Sequence, residues 1–323
     1  MDRLEMTVEP TAEMTVEPTA AGAAVEPETV SRARELYATA RARLGPFIPA
    51  IRIVGFAAAV AIVVYVGIRA AQDVHPSDLT FWPLPFAVVG AAVWWLLQAR
   101  GWSILMRDRL TRHDVSVWCR TQALRFVPGG FWAPASRTTV VRGGPLEKLS
   151  TVGAENLVAL CAAIALGGGL LAASGRLWWL PLVLLLAVPF LALRLVVDRT
   201  RLTRERILRL TANDLVAFAA YGVAAVLVQS AVSGFEDPFG VAGAASLSWA
   251  AGLVVVIAPS GVGVRELVYV WLLSSSLPTG ELAAGAVAMR LVMIIAEFGV
   301  LLAAGRPVAP APDVRIEPGA PTG

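Results

Sequence analysis

Long apolar segments follow one another along most of this 323-residue chain. A helix needs about 20 apolar residues to cross a hydrocarbon core about 30 Å thick, and most of the segments are that long. The composition agrees, because 57% of the residues are hydrophobic and only 16% are charged, against about 25% charged in soluble proteins. We therefore predict an all-α polytopic protein of the plasma membrane. The apolar segments lie at about 51–70, 81–99, 152–173, 177–197, 213–233, 240–258, 262–277 and 282–304.

Charged residues between the apolar segments indicate an orientation in the membrane. Arginines precede the first segment and recur at 100–125 and 199–210, whereas acidic residues occupy the connections at 73–78 and 236–237. Positive residues favour the cytoplasmic side, so this alternation predicts that both termini are cytoplasmic. The same pattern accounts for the net charge of +3, and we expect no nucleic acid as a partner.

Both ends of the chain differ in composition from the apolar part. Residues 5–12 read EMTVEPTA, residues 13–20 repeat these eight letters, and the last residues are rich in proline. Such sequences cannot bury an apolar core. We expect residues 1–45 to form a disordered cytoplasmic tail with a basic flank, residues 46–305 the transmembrane domain, and residues 306–323 a second disordered cytoplasmic tail.

Two stretches combine apolar residues with residues that break helices. Pro128-Gly129-Gly130 lies within 114–141, and Pro259-Ser260-Gly261 lies within 240–277. Helix breakers at membrane depth are tolerated where the freed backbone is buried in protein or lines a cavity. We predict two re-entrant hairpins, the first entering from the cytoplasm and the second from outside, in addition to about six full spans.

The predicted hairpins divide the transmembrane domain into two halves with one plan. Residues from about 51 to 173 and from about 177 to 304 would each form span, span, hairpin and span, in opposite orientations. Inverted repeats of this kind are frequent in transporters, and substrate binds where the broken helices meet near the midplane. The alternative is eight plain spans that are kinked at proline and glycine.

Several charged residues fall within the apolar segments or beside the two turns. A charge at the centre of a membrane helix costs about 2.5–3.5 kcal/mol on insertion scales, so such residues are usually paired or functional. In one hypothesis the arginines and the turn glycines bind an anion such as a lipid phosphate. In the other, the arginines only pair with glutamates and fix the hairpins. The candidate binding residues are Arg137, Arg265, Arg290, Gly129, Gly130, Gly261 and Gly263, with Glu155, Glu266 and Glu297 to balance the charge and Pro128 and Pro259 to break the helices.

Two further predictions concern residues near the ends of the apolar segments. Trp82 lies near the start of the second segment, and Trp94 and Trp95 lie near its end. They are expected to anchor it at the membrane interface, as are Trp178 and Trp179 in the fourth. Asp214 opens the fifth segment and is expected to cap a helix N-terminus or to interact there with the helix dipole.

The sequence contains no recognisable constellation for catalysis or for a metal. The two cysteines and two histidines match no metal or redox spacing, and no phosphate-binding loop is present. We expect no cofactor and no metal site. An integral-membrane enzyme would have only Glu155, Glu266 and Glu297 as candidate acid–base residues, which makes this function the least favoured.

The stretch PSGVGVRE at 259–266, followed by an apolar helix and by Arg290 in the next one, resembles the lysylphosphatidylglycerol synthase transmembrane-region family of flippase-like membrane proteins. RFVPGGFWAPASR at 125–137, followed by AEN at 154–156, resembles an earlier signature of that family. Phe131-Trp132-Ala133 stands where the family commonly has Gly-Glu. The resemblance covers about residues 50–305 and implies translocation of anionic lipids or lipid-linked sugars. We expect no aminoacyltransferase activity, because the cytoplasmic transfer domain of full-length relatives is absent.

These features together predict a lipid flippase. It would bind an anionic phospholipid or a polyprenyl-phosphate-linked glycan and move it through a midplane cavity. The alternative is a non-catalytic membrane partner that anchors or presents lipid to a separate glycosyl- or aminoacyltransferase. Membrane lipid is the expected partner in both cases, and no ATP site or other energy-coupling motif is visible in the sequence.

Overall fold

The computed structural model describes residues 79–106, 109–124, 132–141, 144–193, 202–255 and 259–305, with isolated positions between 61 and 77. Within these ranges every regular element is a helix and no strand occurs. The first apolar segment lies mostly outside the described residues, as do both predicted tails. The helices are α1 (Pro83–Met106), α2 (Arg112–Ala123), α3 (Trp132–Thr138), α4 (Pro145–Ala173), α5 (Val188–Leu193), α6 (Arg204–Ser233), α7 (Pro238–Val254), α8 (Val264–Leu273) and α9 (Thr279–Ala304).

Four helices, α1, α4, α6 and α9, are long and apolar enough to cross a membrane. They contain 24, 29, 30 and 26 residues, which corresponds to about 36–45 Å at 1.5 Å per residue. A hydrocarbon core is about 30 Å thick. The predicted class, an α-helical membrane protein, is therefore confirmed.

The fourth predicted segment does not form one continuous α-helix in its described part. Residues Leu177–Ala187 form a 3₁₀-helix, and α5 follows it. Pro181 lies inside the 3₁₀ stretch and has no N–H to donate to an α-helical ladder. An apolar segment of this length therefore does not by itself specify a continuous α-helix.

The second predicted turn interrupts the helices where the sequence indicates. α7 ends at Val254, Pro259–Gly261 form a short 3₁₀ turn, and α8 begins at Val264. Ser260, Gly261 and Gly263 all have positive φ, at 55°, 66° and 83°. α7 and α8 pack against each other and would measure about 26 and 15 Å, so neither is as long as the hydrocarbon core is thick.

Two predictions about segment ends are wrong, because the helices extend further than the apolar segments. α1 continues to Met106, so Trp94 and Trp95 lie inside the helix and are only 4% and 2% exposed. α6 begins at Arg204, where Thr203 accepts a hydrogen bond from the N–H of Arg206. Asp214 is therefore ten residues inside the helix and caps nothing.

α6 occupies the centre of the described helices and packs against α1, α4, α7 and α9. Small residues allow some of these backbones to touch. At Gly167 of α4, an added Cβ would lie 2.9 Å from the carbonyl oxygen of Gly243 in α7, closer than a side chain can be placed. The direct contact of α4 with α7 thus depends on glycine at both positions.

Polar contacts join the ends of the helices. At one end, Arg176 forms an ion pair with Asp237 at 2.9 Å and also donates a hydrogen bond to Ser276. At the other end, the Ser116 hydroxyl donates to the carbonyl of Gly305 at 3.0 Å. These contacts hold together connections that are far apart in the sequence.

Candidate functional site

A cavity with charged and aromatic walls lies between the helices. Its volume is about 160 Å³, several times the roughly 10–15 Å³ that one water molecule requires by the same kind of measure. Side chains from α1, α2, α3, α4, α6, α7, α8 and α9 line it. The cavity is therefore built by nearly the whole described fold and not by one local segment.

The cavity is far from both ends of the long helices. Trp94 of α1, Glu155 of α4 and Arg290 of α9 all line it. Counted along its own helix, each of these residues is at least about 15 Å from either terminus at 1.5 Å per residue. Charged groups therefore lie within the part of the fold that is long and apolar enough to span a membrane.

Arg137 forms a buried ion pair on one side of the cavity. Its Nη1 donates to Oε1 of Glu155 at 2.8 Å, and Nε1 of Trp118 donates to the same oxygen at 2.9 Å. The guanidinium also lies over the Trp118 ring, with Cζ 5.9 Å from the centroid. The Arg137 Nε and Glu155 Oε2 atoms have no hydrogen-bond partner among the described residues, so this pair retains one free donor and one free acceptor.

Arg290 forms a second ion pair with Glu266. Nη2 and Nε of Arg290 donate to Oε1 of Glu266 at 2.6 and 2.7 Å. The other oxygen, Oε2, accepts the backbone N–H of Gly263 at 2.7 Å, three residues earlier at the start of α8. Glu266 thus satisfies the N-terminus of its own helix and also pairs with α9. The Gly263 N–H is bonded to this carboxylate, and Gly263 is not a lining residue.

Arg265 lies on the opposite side of the α8 N-terminus, over another tryptophan. Its Cζ is 5.8 Å from the centroid of the Trp249 ring, a distance at which a cation is attracted to the ring face. Gly252 and Gly261 leave room for the side chain, since a Cβ at either position would collide with it. Gly261 also has positive φ and approaches the backbone of Gly252, so two requirements favour glycine there.

The structure brings together six of the residues that the sequence predicts. Gly263 is buried but does not line the cavity, and Glu297 is buried in α9 without lining it either. Pro128, Gly129 and Gly130 lie outside the described residues, and Pro259 belongs to the 3₁₀ turn. Within the described ranges, no group of three His, Cys, Asp or Glu residues is arranged to hold a metal ion. The six residues on the cavity wall are Arg137, Glu155, Gly261, Arg265, Glu266 and Arg290.

The aromatic part of the wall was not predicted. The indole rings pack against one another, for example Trp94 against Trp249 with centroids 6.2 Å apart. A helix that begins at Pro83 and continues to Met106 would have placed Trp94 and Trp95 at its middle, so helix length was the signal that could have found them. The aromatic lining residues are Trp94, Trp95, Trp118, Tyr221, Trp249 and Tyr269.

This arrangement is suited to a small anion. The described lining residues include three arginines and two glutamates, an excess of one positive charge. Guanidinium groups present several N–H donors in a plane and bind phosphate or carboxylate oxygens in pairs. Aromatic walls lower the local polarity, which strengthens such contacts.

The fold and the cavity together define an α-helical membrane protein with a charged cavity among its membrane-length helices. Models of known protein families give no match to the chain, and no curated protein matches it significantly. The resemblance to the lysylphosphatidylglycerol synthase transmembrane-region family therefore stays a prediction based on the sequence motifs.

The Arg137–Glu155 pair leads to a prediction about stability. Arg137→Met removes the counter-ion of a buried carboxylate, which typically costs about 3–5 kcal/mol. We expect a clear fall in the thermal unfolding midpoint of the purified protein in detergent. The control Arg209→Met breaks an exposed pair with Glu205 (3.4 Å), and this should change stability by about 1 kcal/mol or less.

A double variant separates loss of charge balance from loss of packing. Arg137→Met combined with Glu155→Gln leaves no unpaired charge and keeps an acceptor for the Trp118 N–H. We expect it to be more stable than Arg137→Met alone. Equal stability of the single and double variants would contradict the electrostatic explanation.

Proposed function

We propose that this protein is a lipid flippase of the plasma membrane. It would bind an anionic phospholipid or a polyprenyl-phosphate-linked glycan in the cavity and move the headgroup across, with no covalent chemistry on the lipid. One observation carries the proposal: Arg137, Arg265 and Arg290 come from separate helices and meet at one cavity deep among membrane-length helices. Charged residues at such depth are rare and usually mark a substrate pathway.

The two glutamates give the arginines partners when no lipid is bound. Glu155 forms an ion pair with Arg137, and Glu266 forms an ion pair with Arg290. A phosphate headgroup that enters the cavity would offer oxygens to the same guanidinium donors. The guanidinium donors of the wall favour an anion over a neutral headgroup, and the aromatic rings would contact the less polar part of the ligand.

We further propose that the segments 114–141 and 240–277 are re-entrant hairpins of an inverted repeat. The lengths of α7 and α8 support this, because neither helix matches the thickness of the hydrocarbon core. The contacts at the helix ends agree with the orientation. Arg176 and Asp237 both lie in connections that the charge pattern assigns to the outside, and Ser116 and Gly305 both lie in parts assigned to the cytoplasm.

A shared feature of the two halves also supports the repeat. In each half, the arginine that follows the Pro-Gly turn lies over a tryptophan from the helix that precedes the turn. The pairs are Arg137 over Trp118 and Arg265 over Trp249, with nearly equal distances of 5.9 and 5.8 Å. Two hairpins of common design would produce this correspondence, whereas eight unrelated spans give no reason for it.

Cysteine accessibility tests the second hairpin. Cys119 and Cys161, both buried, would be replaced by alanine before single cysteines are added at Ser260, at exposed Ser274 and at exposed Thr203. With a membrane-impermeant maleimide, we expect Ser274→Cys to react from outside and Thr203→Cys from the cytoplasm. Ser260→Cys should not react from the cytoplasm, because the turn enters from outside. Reaction there as fast as that of Thr203→Cys would favour eight plain spans.

Lipid movement in proteoliposomes tests the function itself. Vesicles of phosphatidylcholine with fluorescent phosphatidylglycerol would report movement of the labelled lipid between leaflets through chemical quenching. We expect the wild-type protein to accelerate this movement and Arg265→Ala to slow it at least about tenfold, since a hydrogen bond to a charged group contributes about 1.5–3 kcal/mol. Arg265→Lys should be intermediate, because lysine keeps the charge but not the planar fork.

Arg209→Ala is the matched control, because Arg209 lies on α6 away from the cavity wall. It should move lipid at the wild-type rate. Full activity of Arg265→Ala would remove Arg265 from the proposed mechanism. If the wild-type protein moves none of a series of anionic lipids, the result favours a partner that presents lipid to a separate transferase.

A further inference from the structure

A buried acidic residue near the cavity has no role in the function proposed above. Asp214 of α6 is 2% exposed. Its Oδ1 accepts a hydrogen bond from Asn213 Nδ2 at 3.3 Å, and its Oδ2 has no hydrogen-bond partner in the described part of the chain. No arginine, lysine or histidine of that part forms an ion pair with it. Asp214 therefore differs from Glu155 and Glu266, which both have arginine partners.

Polar side chains lie both beside Asp214 and on the nearby cavity wall. Asn213 also donates to the carbonyl of Leu97 in α1 at 2.8 Å, and the next residue, Gln98, lines the cavity. Gly101, one turn further along α1, faces Asp214, since a Cβ there would lie 3.4 Å from Asp214 Oδ1. The buried side chains of Gln98 and Asn213 each retain an atom without a partner. Incompletely bonded polar groups thus occur on the cavity wall, at Gln98, and in the same region of α1 and α6, at Asn213 and Asp214.

The charges around Asp214 are few. α7 contains no ionisable residue, and the single one in α1, Arg100, is exposed. α4 carries Glu155 and α9 carries Glu297, which are both acids. Arg290 of α9 and the basic residues at the start of α6 form no ion pair with Asp214 in the described part of the chain. No cation of the described helices therefore forms an ion pair that would balance an ionised Asp214.

An ionised carboxylate without a counter-ion is very unfavourable in an apolar interior, whereas the neutral acid is not. Ionisable residues that membrane proteins retain in such places are often proton relays. Asp214 has the burial, the missing counter-ion and the polar neighbours that such a role requires.

We propose that Asp214 is a proton-binding site that couples movement of the lipid to a proton gradient. A proton from water on one side adds to Oδ2 and forms one O–H bond. The same proton is later released to water on the other side, and nothing is oxidised or reduced. Proton binding rests on the surroundings of Asp214, whereas its use in transport rests on the proposed function.

Infrared spectroscopy of the full chain in lipid nanodiscs tests proton binding without any transport. We expect the carbonyl band of a buried carboxylic acid in the wild-type protein at neutral pH. Asp214→Asn should remove this band, because asparagine keeps the shape and the acceptor for Asn213 but has no acid proton. The control Glu205→Gln, on the same helix with a carboxylate that is 77% exposed, should keep it. Absence of the band from the wild type, or its full survival in Asp214→Asn, would overturn the proposal.

A pH gradient across proteoliposomes tests the coupling. With fluorescent phosphatidylglycerol in phosphatidylcholine vesicles, the net direction of lipid movement by the wild-type protein should reverse when the gradient is reversed. Asp214→Asn should lose this response and keep gradient-free exchange, whereas Glu205→Gln should behave as the wild type. Lipid movement that ignores the gradient would overturn the coupling and leave the flippase proposal intact. If the wild type moves no lipid at all, both the proposed coupling and the proposed flippase function are wrong. The infrared experiment then tests proton binding by itself.

Discussion

The contact between Glu266 and Arg290 is the interaction on which the site depends. Glu266 uses one oxygen to accept the N–H of Gly263 and the other to pair with two nitrogens of Arg290. It therefore fixes the start of α8 directly after the turn and joins that start to the middle of α9. Arg265 is the residue before Glu266 in the first turn of α8. The position of this turn therefore also places the Arg265 guanidinium over the Trp249 ring.

Buried ion pairs are weak arguments for stability, because apolar residues of similar volume often stabilise a fold equally well or better. The presence of two arginine–glutamate pairs around one cavity is easier to explain by the proposed binding of an anion than by stability. A cavity that binds an anion in an apolar protein needs cations, and the cations need partners when the anion is absent. The pairs of Arg137 with Glu155 and of Arg290 with Glu266 provide this arrangement.

Local rules predicted the part of the site that follows from single residues. Proline, glycine and the cost of a charge in lipid each act at one position. The sequence was therefore enough to infer the turn at Pro259 and to select Arg265 and Arg290, which lie on the cavity wall. Which glutamate pairs with which arginine depends on how distant helices pack, and the sequence allowed several choices. The first turn, at Pro128, lies outside the described residues and stays a prediction.

Segment ends were the main source of error. Hydropathy locates the apolar part of a helix, but α1 and α6 continue into polar sequence at one end. Trp94 and Trp95 consequently moved from an expected interface to the cavity wall, and Asp214 moved from an expected cap to the helix interior. Trp94 and Trp95 are two of the six aromatic lining residues, and Asp214 is a buried acid without a counter-ion among the described residues. A shift of helix ends therefore changed the functional interpretation.

The most direct test of the central claim is an experimental density map of the protein in nanodiscs that contain phosphatidylglycerol. We expect density for a phosphate group in the cavity, within hydrogen-bond distance of at least two of Arg137, Arg265 and Arg290. A cavity filled by acyl chains, with both arginine–glutamate pairs intact and all phosphate density at the membrane surface, would contradict it.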